Sequence, residues 1–194
     1  MKKQILKIRL SLSGVFMVIA LILTHSYISL AALLAATLHE LGHVLAARIL
    51  DIPLREMKLG IFGASLSLSD SFLSYKKEII LAAAGPLTNI ACVIFSLLLF
   101  NVKNDFLELF ISSSLFLGFL NLLPILDFDG GRILICILSL KFSPYSALLT
   151  LKILSFILIF TLWVLSVYLL LKLSSTLSLF IFSLSLFAKL FISK

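Results

Sequence analysis

Charged residues are scarce in this sequence of 194 residues. Asp, Glu, Lys and Arg together make up 13% of it, 61% of the residues are hydrophobic, and the mean hydropathy is +1.21. A soluble globular domain has about 25% charged and about 45–50% apolar residues. A disordered chain is excluded as well, because it would leave far more apolar surface in contact with water. The composition therefore indicates an integral membrane protein.

Glycine, proline and cysteine are also few. Eight Gly and four Pro exclude a collagen-like chain, and two Cys exclude a disulfide scaffold. Cys92 and Cys136 lie in apolar surroundings without the spacing of a metal site, so we expect reduced thiols in the protein core. The net charge of +7 comes from basic residues spread between apolar stretches. This spread is typical of membrane-flanking anchors, and no nucleic-acid partner is expected.

Six apolar segments are long enough to cross a bilayer, which requires about 20 residues per helix. They cover residues 10–26, 29–49, 77–100, 106–124, 145–171 and 174–191. We therefore predict an all-α polytopic membrane protein. We expect the first span to be retained, because no small-residue cleavage site follows the basic N-terminus. All Lys and Arg residues except Lys103 and Lys172 fall on one side when the N-terminus is inside, which predicts cytoplasmic termini.

Residues 52–75 depart from the helical pattern. They contain Gly60, Gly63 and an alternating Ser and Leu run over residues 65–69, and a period of two predicts a strand or a β-hairpin. Unpaired strand edges cannot face lipid, because no water is present there to satisfy the backbone. We therefore predict a short membrane-associated hairpin or loop between the second and third spans.

The second span contains the sequence His39-Glu40-Leu41-Gly42-His43. Residues four apart share one face of a helix, so both imidazoles can bind one metal ion, and Glu40 can accept a proton from water at that metal. Glu40 is the only acidic residue well inside an apolar span, where a charge costs on the order of 2.5–3.5 kcal/mol. That cost disfavours the alternative, a purely structural pairing of Glu40 with a histidine or with Arg48.

A catalytic zinc site usually has three protein ligands, so two histidines require a third donor. Asp127 and Asp129 are the only carboxylates in residues 121–132, a segment whose proline and paired glycines are expected to break a helix at membrane depth. One of these carboxylates is a suitable oxygen ligand, and the other is expected to pair with Arg132 in an exposed loop. Residue chemistry alone leaves the choice between them open.

These motifs together resemble the signature of the site-2 proteases, which are intramembrane zinc metalloproteases. Three elements carry the match: His39-Glu40-Leu41-Gly42-His43, Ala84-Gly85-Pro86-Leu87-Thr88-Asn89, and Asn121-x-x-Pro124-x-x-x-x-Asp129-Gly130. The Gly60–Gly63 region resembles the membrane-associated β-hairpin loop of the family. The resemblance covers residues 30–135.

The resemblance implies a metalloendopeptidase with one Zn²⁺ ion per chain. His39, His43 and Asp129 are then the zinc ligands and Glu40 is the general base, which selects Asp129 over Asp127. The substrate is implied to be a membrane-associated protein, cleaved in or at the edge of the lipid bilayer. The candidate substrate-binding residues are Asn121, Pro124 and Gly63.

The implied organisation is a single membrane-embedded peptidase domain over residues 1–194. Its catalytic core covers residues 28–135, and its accessory spans cover residues 10–26 and 145–191. Six spans with the zinc motif on the second resemble the stage IV sporulation protein FB branch, which releases a membrane-tethered sigma factor. This likeness implies regulated intramembrane proteolysis in a bacterial cytoplasmic membrane, with inhibitory membrane partner proteins. The CBS domain of that branch is not expected here.

A non-catalytic membrane metal-binding protein or a metal transporter is the alternative. A transporter is expected to place several charged or metal-binding residues along a path through the membrane. Here the donors are gathered in one cluster that includes a base, which favours hydrolysis.

Overall fold

The structure is a computed structural model, and it describes residues 7–10, 26–52, 54–60, 63–68, 73–99, 104–173 and 177–192. These residues form three strands: β1 (Lys7–Leu10), β2 (Leu54–Gly60) and β3 (Gly63–Leu68). They also form six helices: α1 (Tyr27–Ile49), α2 (Tyr75–Leu99), α3 (Asp105–Leu122), α4 (Asp129–Ser139), α5 (Pro144–Leu173) and α6 (Leu177–Ile192). The chain divides into two compact units, Met1–Leu122 and Leu123–Lys194.

Four helices are long and apolar enough to cross a membrane, namely Tyr27–Ile49, Tyr75–Leu99, Asp105–Leu122 and Pro144–Lys172. They coincide with the second to fifth predicted spans, and the chain is an integral membrane protein. The predicted span 174–191 corresponds to α6, which has 16 residues and is shorter than a typical span. Residues 11–25 of the predicted first span lie outside the described residues. The described part of the chain therefore supports four spans, and the count of six stays a prediction.

Helices α1, α2 and α3 of the first unit pack against one another. Their buried residues recur about every four positions, which places them on one face of each helix. These stripes are Ala31, Ala35, His39, His43 and Ala47 on α1, Leu81, Gly85, Asn89 and Val93 on α2, and Phe110, Ser114 and Gly118 on α3. Many of these side chains are small, and small residues let helix backbones approach closely in a membrane. The close approach brings α2 next to the histidines of α1.

Helix α1 ends in a Schellman motif. The amides of Asp51 and Ile52 donate to the carbonyls of Arg48 and Ala47 at 3.2 and 2.8 Å, and Asp51 has a left-handed φ of 53°. The ammonium of Lys77, near the start of α2, donates to the C-cap carbonyl at 3.0 Å. The end of the helix that carries the histidines is thereby attached to α2.

The three strands form one sheet in the order β1-β2-β3. Strands β2 and β3 pair antiparallel, with Gly60 opposite Gly63. Strand β3 contains most of the alternating Ser and Leu run that predicts a strand or a hairpin. Strand β1 pairs parallel to β2 and is not among the predicted elements, although Lys7 to Leu10 also alternate between basic and apolar residues. The location of this sheet at the membrane stays a prediction.

The second unit begins with a non-helical segment, residues 123–128, that contains Pro124. The expectation that Gly130-Gly131 breaks a helix is wrong, because both glycines lie in the first turn of α4. Glycine in a helix costs about 1 kcal/mol relative to alanine, which does not by itself prevent the helix from forming. A Cβ on Gly131 would overlap the carbonyl oxygen of Ile125, so glycine lets the preceding segment fold against the start of α4.

Helices α4, α5 and α6 make up the rest of the second unit, and α5 packs against both of the others. The contact between α5 and α6 contains a buried pair of hydroxyls, Ser166 and Ser183, whose Oγ atoms are 3.0 Å apart. Hydroxyl pairs of this kind hold helices together in an apolar environment. Helix α4 is absent from the predicted elements.

Candidate metal centre

The histidines of α1 form a buried pair. His39 and His43 are 4% and 5% exposed, and their Nε2 atoms are 3.3 Å apart. Two nitrogens that bind one tetrahedral Zn²⁺ ion at about 2.0–2.1 Å are themselves about 3.3 Å apart. The two imidazoles therefore have the separation required of two ligands of one zinc ion.

A hydrogen bond to α2 fixes the tautomer of His43. Its Nδ1 atom is 2.8 Å from the carbonyl oxygen of Leu81. A carbonyl oxygen only accepts, so Nδ1 carries the proton and donates it, and Nε2 of the neutral ring is the nitrogen whose lone pair faces His39 and can bind a metal. Metal-binding histidines usually donate their second nitrogen to a carbonyl or a carboxylate in this way.

Gly42, between the two histidines, allows this contact. A Cβ on Gly42 would lie 2.8 Å from the carbonyl oxygen of Ala84 and would overlap the hydroxyl of Thr88. That hydroxyl itself donates to the Ala84 carbonyl at 2.8 Å. The backbones of α1 and α2 therefore touch directly beside the histidine pair.

Glu40 follows His39 on α1. Its side chain is half-buried, and its Oε2 atom is shielded from solvent. A carboxylate beside two imidazoles in an apolar helix has the chemistry of a general base. The role of Glu40 in a reaction stays a prediction.

Asp129 is the first residue of α4 and is 7% exposed. A carboxylate is favoured in the first turn of a helix, where the helix dipole is positive. His39, His43 and Asp129 are all buried, each within its own unit. Two imidazoles and one carboxylate are a ligand set found in catalytic zinc sites. The residues present therefore fit the ion that the sequence predicts.

Asp127 has a different environment. Its carboxylate is 3.1 Å from the ammonium of Lys189 on α6, and both side chains are more than one-third exposed. The expected ion pair of a loop carboxylate is thus found at Asp127, but its cation is Lys189 and not Arg132. Lys189 is 62 positions further along the chain, so no local spacing indicates this pairing.

The candidate substrate-binding residues make structural contacts. The Asn121 amide group donates to the Leu117 carbonyl of its own helix at 3.1 Å. The carbonyl of Pro124 accepts a hydrogen bond from Ser155 of α5 at 3.5 Å. Gly63 is the first residue of β3. A role of these residues in substrate binding stays a prediction.

Two residues of α2 next to the histidines have no role in the sequence predictions. Leu81 accepts the hydrogen bond of His43, and Gly85 lies against the Nε2 atoms of both imidazoles. Asn89 continues the same face and is 1% exposed, with its amide group donating to the Ser114 carbonyl at 3.4 Å. The spacing of four residues in an apolar helix is the signal that could have grouped them.

The chain is similar to known proteins in sequence and in fold, although it matches no protein-family model. It is 30% identical over 125 residues to the stage IV sporulation protein FB of Bacillus subtilis (strain 168), an alignment that covers 62% of this chain and 43% of that protein. This chain thus spans less than half the length of that curated relative. Its fold is similar to that of the site-2 protease from Methanocaldococcus jannaschii, with a TM-score of 0.67, 23% identity, and coverage of 98% of this chain and 91% of the other.

The fold and the site define a class: polytopic helical membrane proteins that carry a buried pair of histidines suited to a metal ion. Within that class, the chain is similar in sequence to a sporulation protein and in fold to a site-2 protease. Both similarities agree with the resemblance found in the sequence motifs.

Proposed function

We propose that this chain is a zinc metalloendopeptidase that cleaves a membrane-associated protein within or at the edge of the bilayer. The observation that carries the proposal is the buried pair of Nε2 atoms 3.3 Å apart, with the His43 ring held by the Leu81 carbonyl. In this proposal His39, His43 and Asp129 bind the ion. A zinc ion held by these residues would supply the Lewis acidity that activates water near neutral pH and polarises a peptide carbonyl.

Glu40 is the proposed general base. It accepts the proton of the attacking water and later returns it to the leaving amine, as a carboxylate next to the reacting atoms can do. Its half-buried position in α1, directly after the proposed ligand His39, supports this role.

The substrate must present an extended peptide. A transmembrane helix engages its carbonyls in hydrogen bonds to the amides four residues on, so it has to unwind before cleavage. Among the described strands, β3 lies at the edge of the sheet and pairs with β2 alone. We propose that this edge binds the unwound substrate as an added strand, which satisfies the freed backbone groups.

A membrane-tethered regulatory protein is the substrate class to test first. The similarity to a sporulation protein supports this choice. The distribution of Lys and Arg supports a membrane orientation with cytoplasmic termini, and reporter fusions at each terminus test that orientation. Inhibitory membrane partners remain part of the proposal and are tested by co-purification.

The decisive experiment compares variants of the full chain for cleavage and for zinc content. Candidate single-span or hairpin-anchored precursors are co-expressed with the parent, Glu40→Gln, Asp129→Asn and the matched control Asp127→Asn. We expect Glu40→Gln to abolish cleavage with zinc retained, and Asp129→Asn to lower zinc content and cleavage. Asp127→Asn is expected to preserve both, because Asp127 pairs with Lys189 at the surface.

Normal cleavage by Glu40→Gln would refute the role of Glu40. A purified parent protein without stoichiometric zinc would refute the metal site itself. Zinc flux across vesicles that contain the parent, together with no cleavage of any precursor, would favour the transporter alternative.

A further inference from the structure

We propose that Gly85 of α2 is a positioning residue for the metal ion. Because it has no side chain, it leaves the space beside the Nε2 atoms of His39 and His43 in which the ion binds. This inference rests on the proposed metalloprotease function, and it assigns to α2 a direct part in shaping the metal site. The motif match alone gives Gly85 no role.

The geometry at Gly85 carries the proposal. A Cβ built on this residue would lie 2.6 Å from Nε2 of His39, 2.7 Å from Cε1 of His43, and in still closer contact with Nε2 of His43. A zinc ion bound to both nitrogens lies about 2.0–2.1 Å from each. A methyl group at position 85 would therefore crowd the space next to both nitrogens in which the ion has to fit.

The ring of His43 has little freedom to move away while it keeps its hydrogen bond. Leu81 precedes Gly85 by four residues on α2, so both lie on the face that the imidazole contacts. The ring extends from the Leu81 carbonyl, 2.8 Å from Nδ1, to the backbone of Gly85 at Nε2. A methyl group at residue 85 would force the ring to rotate and would break this arrangement.

Two other glycines show that the contact at Gly85 is of a different kind. A Cβ on Gly42 would meet the backbone oxygen of Ala84 at 2.8 Å, so Gly42 is required for helix packing. A Cβ on Gly118 would meet only Asn89 Cβ and the Pro86 carbonyl, at 3.4 and 3.6 Å. The three atoms nearest to a Cβ on Gly85 all belong to the two imidazoles.

This difference separates metal binding from folding. Imidazole rings are side-chain ends that can rotate, so an alanine at residue 85 can be accommodated without moving the helix backbones. Alanine is also a better helix former than glycine. We therefore expect Gly85→Ala to keep the fold and to lose the metal.

The test measures zinc affinity and thermal unfolding of the purified full chain in detergent. The variants are Gly85→Ala, the matched control Gly118→Ala on the neighbouring helix α3, and His43→Ala as the reference for a lost ligand. We expect Gly85→Ala to weaken zinc binding about tenfold or more. Its unfolding temperature in a chelator is expected to stay close to that of the parent, because the better helix propensity of alanine offsets the lost hydrogen bond between His43 and Leu81. Gly118→Ala is expected to bind zinc as the parent does and to be no less stable.

The outcomes distinguish the two proposals. If the parent and Gly118→Ala bind no zinc, the proposed function fails. If the parent binds zinc and His43→Ala does not, but Gly85→Ala binds it with the affinity of the parent, the inference about Gly85 is overturned while the proposed function stands.

A second comparison covers the case in which Gly85→Ala is unstable. The substitution is then repeated in a background in which both histidines are alanine. If the instability arises from the imidazoles, Gly85→Ala has no effect on unfolding in that background. Equal destabilisation in both backgrounds would place the clash elsewhere and would overturn the inference.

Discussion

The contact of Gly42 with α2 leads to a quantitative prediction for Gly42→Ala. The added Cβ would lie 2.8 Å from the Ala84 carbonyl oxygen, whereas a non-bonded contact requires about 3.4 Å or more. Relief by separation of α1 and α2 therefore needs about 0.6 Å. The same movement would lengthen the bond from His43 Nδ1 to the Leu81 carbonyl from 2.8 Å to about 3.4 Å, beyond the usual range of N–H···O bonds.

Both effects lower stability. Overpacking of a close helix contact costs about 1–3 kcal/mol, and loss of one hydrogen bond costs about 0.5–1.5 kcal/mol, which together give about 1.5–4.5 kcal/mol. We expect this loss in the free energy of unfolding measured by denaturant titration in detergent micelles with a chelator present. Zinc affinity should fall as well, because His43 loses the bond that orients it. A Gly42→Ala variant as stable as Gly118→Ala would refute the argument for direct contact of the two backbones.

Three further predictions concern the metal and the segments that flank it. Removal of zinc should lower the unfolding temperature of the parent but not of His43→Ala, since a ligand at roughly 100 times its Kd stabilises by about 2.7 kcal/mol. Lys189→Ala should change the free energy of unfolding by less than about 1 kcal/mol, because its ion pair with Asp127 is exposed; a larger loss would show that the pair holds the segment before α4. Asp51→Gly should raise the unfolding free energy by up to about 1 kcal/mol, because its φ of 53° penalises a residue with a Cβ, and an unchanged or lower value would contradict that reasoning.

The transmembrane helices of the first unit were predictable because their signal is local. Helices α1, α2 and α3 are continuous apolar runs of about the length that a bilayer requires. The pairing of His39 with His43 was also predictable, since a separation of four residues places two side chains on one helix face. Helix α4 escaped prediction because its 11 residues are too few for a span and begin with two glycines after Asp129.

The contacts between helices could not be read from the sequence. The part that Leu81 and Gly85 play at the histidines depends on how closely α2 approaches α1, and no spacing within one helix encodes that distance. The same holds for Asp127, whose partner Lys189 is brought near by the folding of α6. Strand β1 pairs with β2, more than 40 positions away, and its four residues are too short for a pattern of period two to stand out.

The stripe of small residues on α1 implies two different rules of sequence tolerance for one helix. Leu41, Leu45 and Ile49 on the outer side are 54%, 60% and 74% exposed, so any residue of similar hydrophobicity serves there. Ala31, Ala35 and Ala47 are fully or almost fully enclosed. The volume available to each side chain is therefore restricted, and even one added methylene group is expected to lower stability. A saturation library of this helix should accordingly accept leucine, isoleucine and phenylalanine interchangeably at the three outer positions. It should reject all three residues at the positions of the enclosed alanines.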